Sequence, residues 1–312
     1  MEPSATSLVN PIFNDVKADI VLRTVDGVDF RMYKSLLSFA SPFFEGMFSL
    51  PQPESRSTAL QNHNGLPIVP MPESSKAVEK LLMFCHPAHC PILESLDEVR
   101  LVLEPAVKYD MAGVVKRVVI QFDPFIAEEP LRSYCVAWQF KLHDQVQQAA
   151  RLLLKQPLIP RRFVRELDLI PATALHRLHE YHYSCGKAAR AMATAFGWID
   201  MASYIRFGAG GVCFECSDGE AVTGYDNQEI PSRTWWMEYM QEAALLLQER
   251  PCGATVKDPD LMNKTFRKAV QCRHCKDRVF TEMQEFTEEF AREIERTTAM
   301  VRVKRVGQSQ VS

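Results

Sequence analysis

The sequence predicts an α+β protein: a small, mainly antiparallel sheet with clustered helices over the N-terminal third, then a mostly α-helical C-terminal region carrying a zinc-knuckle-like site. Three observations carry that prediction. Residues Asp19 to Tyr33 alternate around an Asp-Gly turn, several later segments keep a helical apolar period, and two Cys-x-x-Cys pairs, Cys213/Cys216 and Cys272/Cys275, stand far apart in the C-terminal third.

Length and composition set the bounds. At 312 residues the chain has room for two domains. An apolar fraction of 46% and a charged fraction of 24% are those of an ordinary globular protein. The net charge of −3 argues against a strongly basic nucleic-acid binder. The opening MEPSATSLVNPIF is polar and proline-broken, without a signal-peptide pattern, and the nine cysteines are an odd number. The expectation is a reducing compartment, cytoplasmic or nuclear, with no membrane span.

In the N-terminal third, Ile20 to Leu22 and Val28 to Phe30 flank Asp26-Gly27, read as a hairpin closed by a tight primed turn. Lys34 to Ala40 reads as a short helix. Ser41-Pro42 opens another, with Ser41 as cap and Pro42 at the first position, and Phe43, Phe44, Met47 and Phe48 are expected on one face. A polar loop from Pro51 to Gly65 leads to a strand around Ile68 and Val69, confined to a sheet edge by Pro67 and Pro70. Two helical periods follow, one through Val78, Leu81, Leu82 and Cys85. The other runs through Val99, Val102, Leu103, Ala106, Val107 and Tyr109, opened by Ser95 with Glu98 three residues on.

The ordered set Asp19 to Leu22, Asp26 to Phe30, Lys34 to Leu37 and Ser41 to Phe48 resembles the opening of a BTB/POZ domain. Leu81 to Pro87 and Ala106 to Met111 resemble its later helices, so the resemblance covers about residues 15 to 127. Pro130 to Ala137 and Gln148 to Leu154 resemble, more loosely, the helical extension of fungal BTB proteins. The resemblance implies homo- or heterodimerisation and partner recruitment without chemistry. It also implies an interface drawing on Asp19, Lys34, Phe43, Phe44 and Met47. Asp19 and Lys34 match the charged pocket of dimeric members, or alternatively form an intramolecular pair that fixes the hairpin. Tyr33 stands where the family usually has His, the N-terminal arm lacks a swapping helix, and no segment matches those that hold a cullin scaffold.

From Pro130 to about Trp198 the chain reads as a small helical bundle broken at Pro157, Pro160 and Pro171. His176, His179, His182 and Cys185 recur every three residues, which drifts by ~60° per step on a helix, so they cannot all face one ion. They are read as packing residues, as is the group Cys85, His86, His89 and Cys90.

The glycine-rich run 208–211 leads into Cys213 and Cys216, with Ser217 to Gly219 completing a knuckle turn. A helix capped by Ser232 carries Trp235, Trp236, Tyr239, Met240, Ala243, Leu246 and Leu247. Cys272 and Cys275 precede a helix marked by Phe280, Met283, Phe286, Phe290 and Ile294. Both pairs sit at element ends and converge if the two helices pack. Four thiolates at this spacing suit one tetrahedral Zn²⁺, structural rather than catalytic. Reduced buried cysteines and a redox disulfide are the alternatives, with Cys252 and His274 as spare ligands.

The expected organisation is an arm over 1–16, a BTB/POZ domain over 17–128, a helical extension over 129–198, a Cys-x-x-Cys region over 199–302 and a disordered tail over 303–312. No Gly-x-Ser-x-Gly, phosphate-binding Gly-rich loop with Lys, or His-Glu-x-x-His motif is present, so an enzyme is not expected. The leading function is a non-enzymatic protein-interaction module with a structural zinc site. The alternatives are a zinc-dependent nucleic-acid-binding regulator dimerised by its BTB domain, or a substrate adaptor of a cullin-type ubiquitin ligase. Basic residues Arg267, Lys268, Arg273, Lys276, Arg278, Arg302, Lys304 and Arg305 are interleaved with the acids Glu282 to Glu295, which disfavours nucleic acid.

Overall fold

The computed structural model describes residues 10–50, 65–86, 89–158, 163–199, 213, 215–216, 221–223 and 229–304. The expectations for the 1–9 part of the arm, most of the 51–65 loop, Pro160, the 208–211 run, the 217–219 turn and the 305–312 tail lie outside the described residues. The chain divides into two compact units, Met1–Glu128 and Glu129–Ser312. Among the described residues no helix is long and apolar enough to cross a membrane.

In the first unit, β1 (Ile20–Arg23) pairs antiparallel with β2 (Asp29–Met32) in the register Ile20↔Met32 and Leu22↔Phe30. Ile20, Val21 and Leu22 are all buried, as befits a central strand covered on both faces, while β2 buries only the alternate Phe30 and Met32. The hairpin turn departs from the primed form. Gly27 has a positive φ of 80° and Asp26 does not. Gly27 N–H donates to the Thr24 carbonyl and Thr24 N–H to the Val28 carbonyl. That is a three-residue loop with glycine at its left-handed position. Asp26 uses its carboxylate to accept from the Ser75 amide and hydroxyl and from the Thr24 hydroxyl. The Ser75 hydroxyl chiefly, then Thr24, holds the Asp26 carboxyl down at about 2.

β3 (Ile68–Pro70) pairs with β1 in parallel, Val21↔Ile68, giving the strand order β2-β1-β3. The prolines are at an edge as expected, but the sheet is mixed rather than mainly antiparallel. The connection through α1 (Lys34–Ala40) and α2 (Pro42–Ser49) returns the chain on the far side of β1, running in the same direction. α3 (Ser75–Cys85), α4 (Leu96–Lys108) and α5 (Ala112–Glu128) pack on one another, and their buried Val78, Leu81, Leu82, Val99, Val102, Leu103, Val114, Val118 and Phe122 contribute to the core. Ser95 caps α4 through the Glu98 amide, while the Glu98 carboxylate accepts from Glu94 N–H and Lys80. Asp110, with φ 50°, ends α4 in the left-handed turn that places Met111 N–H on the Ala106 carbonyl.

The expected single apolar face of α2 is split by packing. Phe44 is 1% exposed and lies among Phe48, Phe43 and Tyr109. Phe43 is 47% exposed. Ser41 fixes this arrangement twice over, since its hydroxyl accepts from Phe44 N–H at 3.1 Å and donates to the Tyr109 carbonyl at 2.5 Å.

The second unit runs through α6 (Pro130–Gln139), α7 (His143–Leu153), α8 (Ala172–Thr194), a hairpin of β4 (Ala221–Thr223) and β5 (Glu229–Pro231), α9 (Thr234–Glu249), α10 (Pro259–Ala269) and α11 (Val279–Ala299). A Cβ on Gly186 would stand 2.7 Å from the Gln248 carbonyl oxygen, so glycine is what lets α8 and α9 approach. Their shared core contains Trp236, Tyr239, Met240, Met283, Phe286, Phe290 and Ile294, and the Trp198 ring stacks on Phe290 at 5.2 Å. Ser232 does not cap α9. Arg233 is the cap residue, and the first amide and hydroxyl, of Thr234, both donate to the Cys216 carbonyl at 3.0 Å. Val303 is buried with its amide on Gln147 Oε1 at 2.8 Å.

Ser41→Ala removes a helix cap and leaves a buried carbonyl without its donor. The variant is expected to lose about 2 kcal/mol of stability in urea unfolding.

Candidate metal centre

The two Cys-x-x-Cys pairs meet. The Cys213 and Cys272 sulfurs are 3.3 Å apart, those of Cys216 and Cys275 are 3.5 Å apart, and all four lie within 4.8 Å of one another. An ion with metal–sulfur bonds of about 2.3 Å in a tetrahedral shell separates its sulfurs by about 3.8 Å, so the cluster has the size such a shell requires. It is the one group of three or more metal-ligating side chains among the described residues.

Local backbone geometry produces this convergence. Each pair closes a tight turn, with Cys216 N–H on the Cys213 carbonyl at 3.2 Å and Cys275 N–H on the Cys272 carbonyl at 3.3 Å. Each turn also offers a carbonyl to the start of a helix. The Cys216 carbonyl takes the first amide of α9, and the Cys275 carbonyl takes those of Arg278 and Val279 at the start of α11. Glu215 ties one turn to the other by accepting from Arg273 N–H at 3.2 Å and lying 3.7 Å from the Cys272 sulfur. The sulfurs are continuous with the helical core, where Cys213, Cys272 and Cys275 are buried with Trp235 and Trp236.

The electrostatics suit a cation. Burial opposes ionisation of Cys213, yet the Cys272 sulfur and the Glu215 amide outweigh it and bring that thiol down to about 7. Cys216 is pushed up, first by burial and then by Cys213 and Cys275. Burial also raises Cys275, although the Trp235 indole and the Arg233 guanidinium draw it back. Four sulfurs this close cannot all carry charge on their own, and a divalent ion removes that conflict. Arg233 is 5% exposed, held 2.8 Å from Glu282, and its positive charge bears on Cys275 and Cys216. A tetrathiolate site with a divalent ion carries a net negative charge, which a buried guanidinium offsets.

The spare ligands stay apart. Cys252 is buried with its sulfur 3.4 Å from the Thr255 hydroxyl, and His274 is exposed. His182 is buried against the Gln156 carbonyl, and burial raises the Cys185 thiol to about 11 and that of Cys85 to about 12. All nine cysteines are free.

In the first unit the Asp19 carboxylate accepts the backbone amide of Lys34 at 2.8 Å, so it caps α1, whose cap residue Tyr33 makes no such bond with its side chain. The Lys34 ammonium lies 5.9 Å from the centre of the Phe48 ring. Phe44 is buried within the chain, whereas Phe43 is exposed and Met47 half-buried. Phe39 on α1, 93% exposed, was not singled out by the sequence because it occupies an ordinary helical position. An apolar ring with no intramolecular cover is a candidate contact that only the coordinates expose.

Residues 10–123 match the model of the BTB/POZ domain family. The match spans nearly all of the first unit, and the chain carries a BTB/POZ domain. No curated protein matches the chain.

Cys272→Ser is expected to abolish stoichiometric zinc in protein purified without chelator and to lower the thermal midpoint by about 10 °C. Cys90→Ser, at an exposed thiol outside the cluster, leaves both unchanged. Elemental analysis and differential scanning calorimetry on the same preparations check both statements.

Proposed function

We propose that this BTB/POZ-bearing chain is a non-enzymatic protein-interaction protein whose second unit is built around a structural Zn²⁺ ion held by Cys213, Cys216, Cys272 and Cys275. The observation that carries the reading is the meeting of four sulfurs in one unit of a chain whose other unit matches a family used for protein association. Zinc is favoured over harder ions because thiolate is the whole ligand set. A structural role is favoured over a catalytic one because four protein ligands fill a tetrahedral shell and leave no position for water or substrate.

The first unit recruits protein partners or a second copy of the chain. Asp19, Lys34, Phe43 and Met47, with Phe39, are the residues proposed for that contact. The exposed Phe39 and Phe43 rings supply the apolar part of such a contact, and Asp19 and Lys34 its polar part. The nucleic-acid alternative has weaker support. Lys264 pairs with Glu242, Lys268 with Glu238, Arg278 with Glu282 and Arg296 with Glu293, so much of the basic charge on these helices is already neutralised. A cullin-type scaffold remains a family-level alternative without an observation of its own.

Light scattering of the full chain at tens of micromolar is the test. A dimer is expected, and Phe39→Glu, which touches no core residue, is expected to give monomers with an unchanged melting temperature. A wild-type monomer would restrict the first unit to hetero-contacts, and a dimer insensitive to Phe39→Glu would move the contact elsewhere.

A further inference from the structure

The second unit holds a cavity of about 350 Å³ between the α6–α7 turn and the segment that follows α11. Its wall includes Trp138, Lys141, His143, Asp144, Arg302 and Lys304. Neither the metal centre nor the BTB/POZ domain accounts for this grouping, and the inference does not depend on either.

The main chain that carries the cations is anchored, and the Lys141 and Arg302 side chains are exposed. Lys141 sits at φ 58°, where its N–H reaches the Trp138 carbonyl at 3.1 Å and the next amide, of Leu142, reaches the Ala137 carbonyl at 2.8 Å. This is the helix-ending turn whose left-handed position favours glycine, so a lysine there carries a backbone cost. Arg302 is followed by two anchored residues: Val303 N–H bonds to Gln147, and the Lys304 carbonyl accepts from Arg177 at 3.1 Å while its ammonium pairs with Glu180. Lys141 and Arg302 themselves have no ion-pair partner among the described residues. His143 begins α7, whose first turn has no side-chain cap. Asp144 is the one acidic side chain on the wall. The balance is therefore positive, with an indole ring on the same wall.

We propose that this cavity binds a phosphate monoester, with the phosphoryl group between Lys141 and Arg302, His143 as a further donor, and the group that carries the phosphate against Trp138. A phosphoryl dianion matches two unpaired cations better than a single carboxylate does, and the guanidinium fork suits its oxygens. The volume exceeds that of the phosphoryl group alone and leaves room for its carrier. The two sources of this chemistry are a phosphorylated side chain of a partner protein and a small phosphorylated metabolite.

The test is calorimetric titration of the full chain with N-acetyl-phosphoserine amide, adenosine monophosphate, N-acetylserine amide and N-acetylglutamate amide. At least one phosphate monoester is expected to bind saturably and more tightly than the serine and glutamate probes. Tighter binding of the phosphoserine probe identifies a protein source, and tighter binding of the nucleotide identifies a metabolite. Arg302→Ala and Lys141→Gly are each expected to weaken that binding about ten-fold. Lys141→Gly suits the left-handed backbone better than lysine, so weakened binding from it with no loss in melting temperature cannot come from a failing fold. The proposal is overturned if no monoester saturates below about 10 mM, if the glutamate probe binds as tightly, or if neither variant weakens binding.

Discussion

Four sulfurs brought together from turns 59 residues apart in sequence are the constraint on which the second unit depends. Each turn does two things at once. It presents two thiols and supplies the carbonyl that receives the first amides of a helix, so the positions of α9 and α11 are set at the same place as the sulfur cluster. A single ion held by both turns would remove much of the freedom that the unfolded chain has between them. The aromatic core packs directly beneath, with Trp236 against Phe286 at 5.6 Å.

The shell around the sulfurs extends this logic. A buried arginine–glutamate pair is costly by itself, because both charges leave water. Arg233 and Glu282 become understandable when the sulfur cluster is counted as a third charged body, since the guanidinium then lies between two sources of negative potential. Arg233 also stands where α9 would otherwise have a serine or aspartate cap. The cap is replaced by the Cys216 carbonyl, which couples the start of the helix to the integrity of the turn.

Features set by short-range spacing could be read from the sequence. Ser41-Pro42 opened α2, Ser95 capped α4, Pro67 and Pro70 marked an edge strand, and the two Cys-x-x-Cys pairs announced turns that present paired sulfurs. What the sequence hid depends on the third dimension. The hairpin loop type turned on one dihedral, at Gly27, and the parallel pairing of β3 on the side from which a long connection returns. Phe43 and Phe44 look equivalent as neighbours in sequence, yet a helix turns them ~100° apart, and although both rings touch Tyr109 only Phe44 is buried. The role of Arg233 at the sulfur cluster and the cavity shared by Lys141 and Arg302 join residues scores of positions apart, which no periodicity reports.

Zinc-edge X-ray absorption on the full chain, purified without chelator, addresses the central claim most directly. One zinc per chain with four sulfur neighbours at about 2.3 Å is the expected spectrum. A folded protein without metal, or a first shell containing nitrogen or oxygen in place of sulfur, would contradict it.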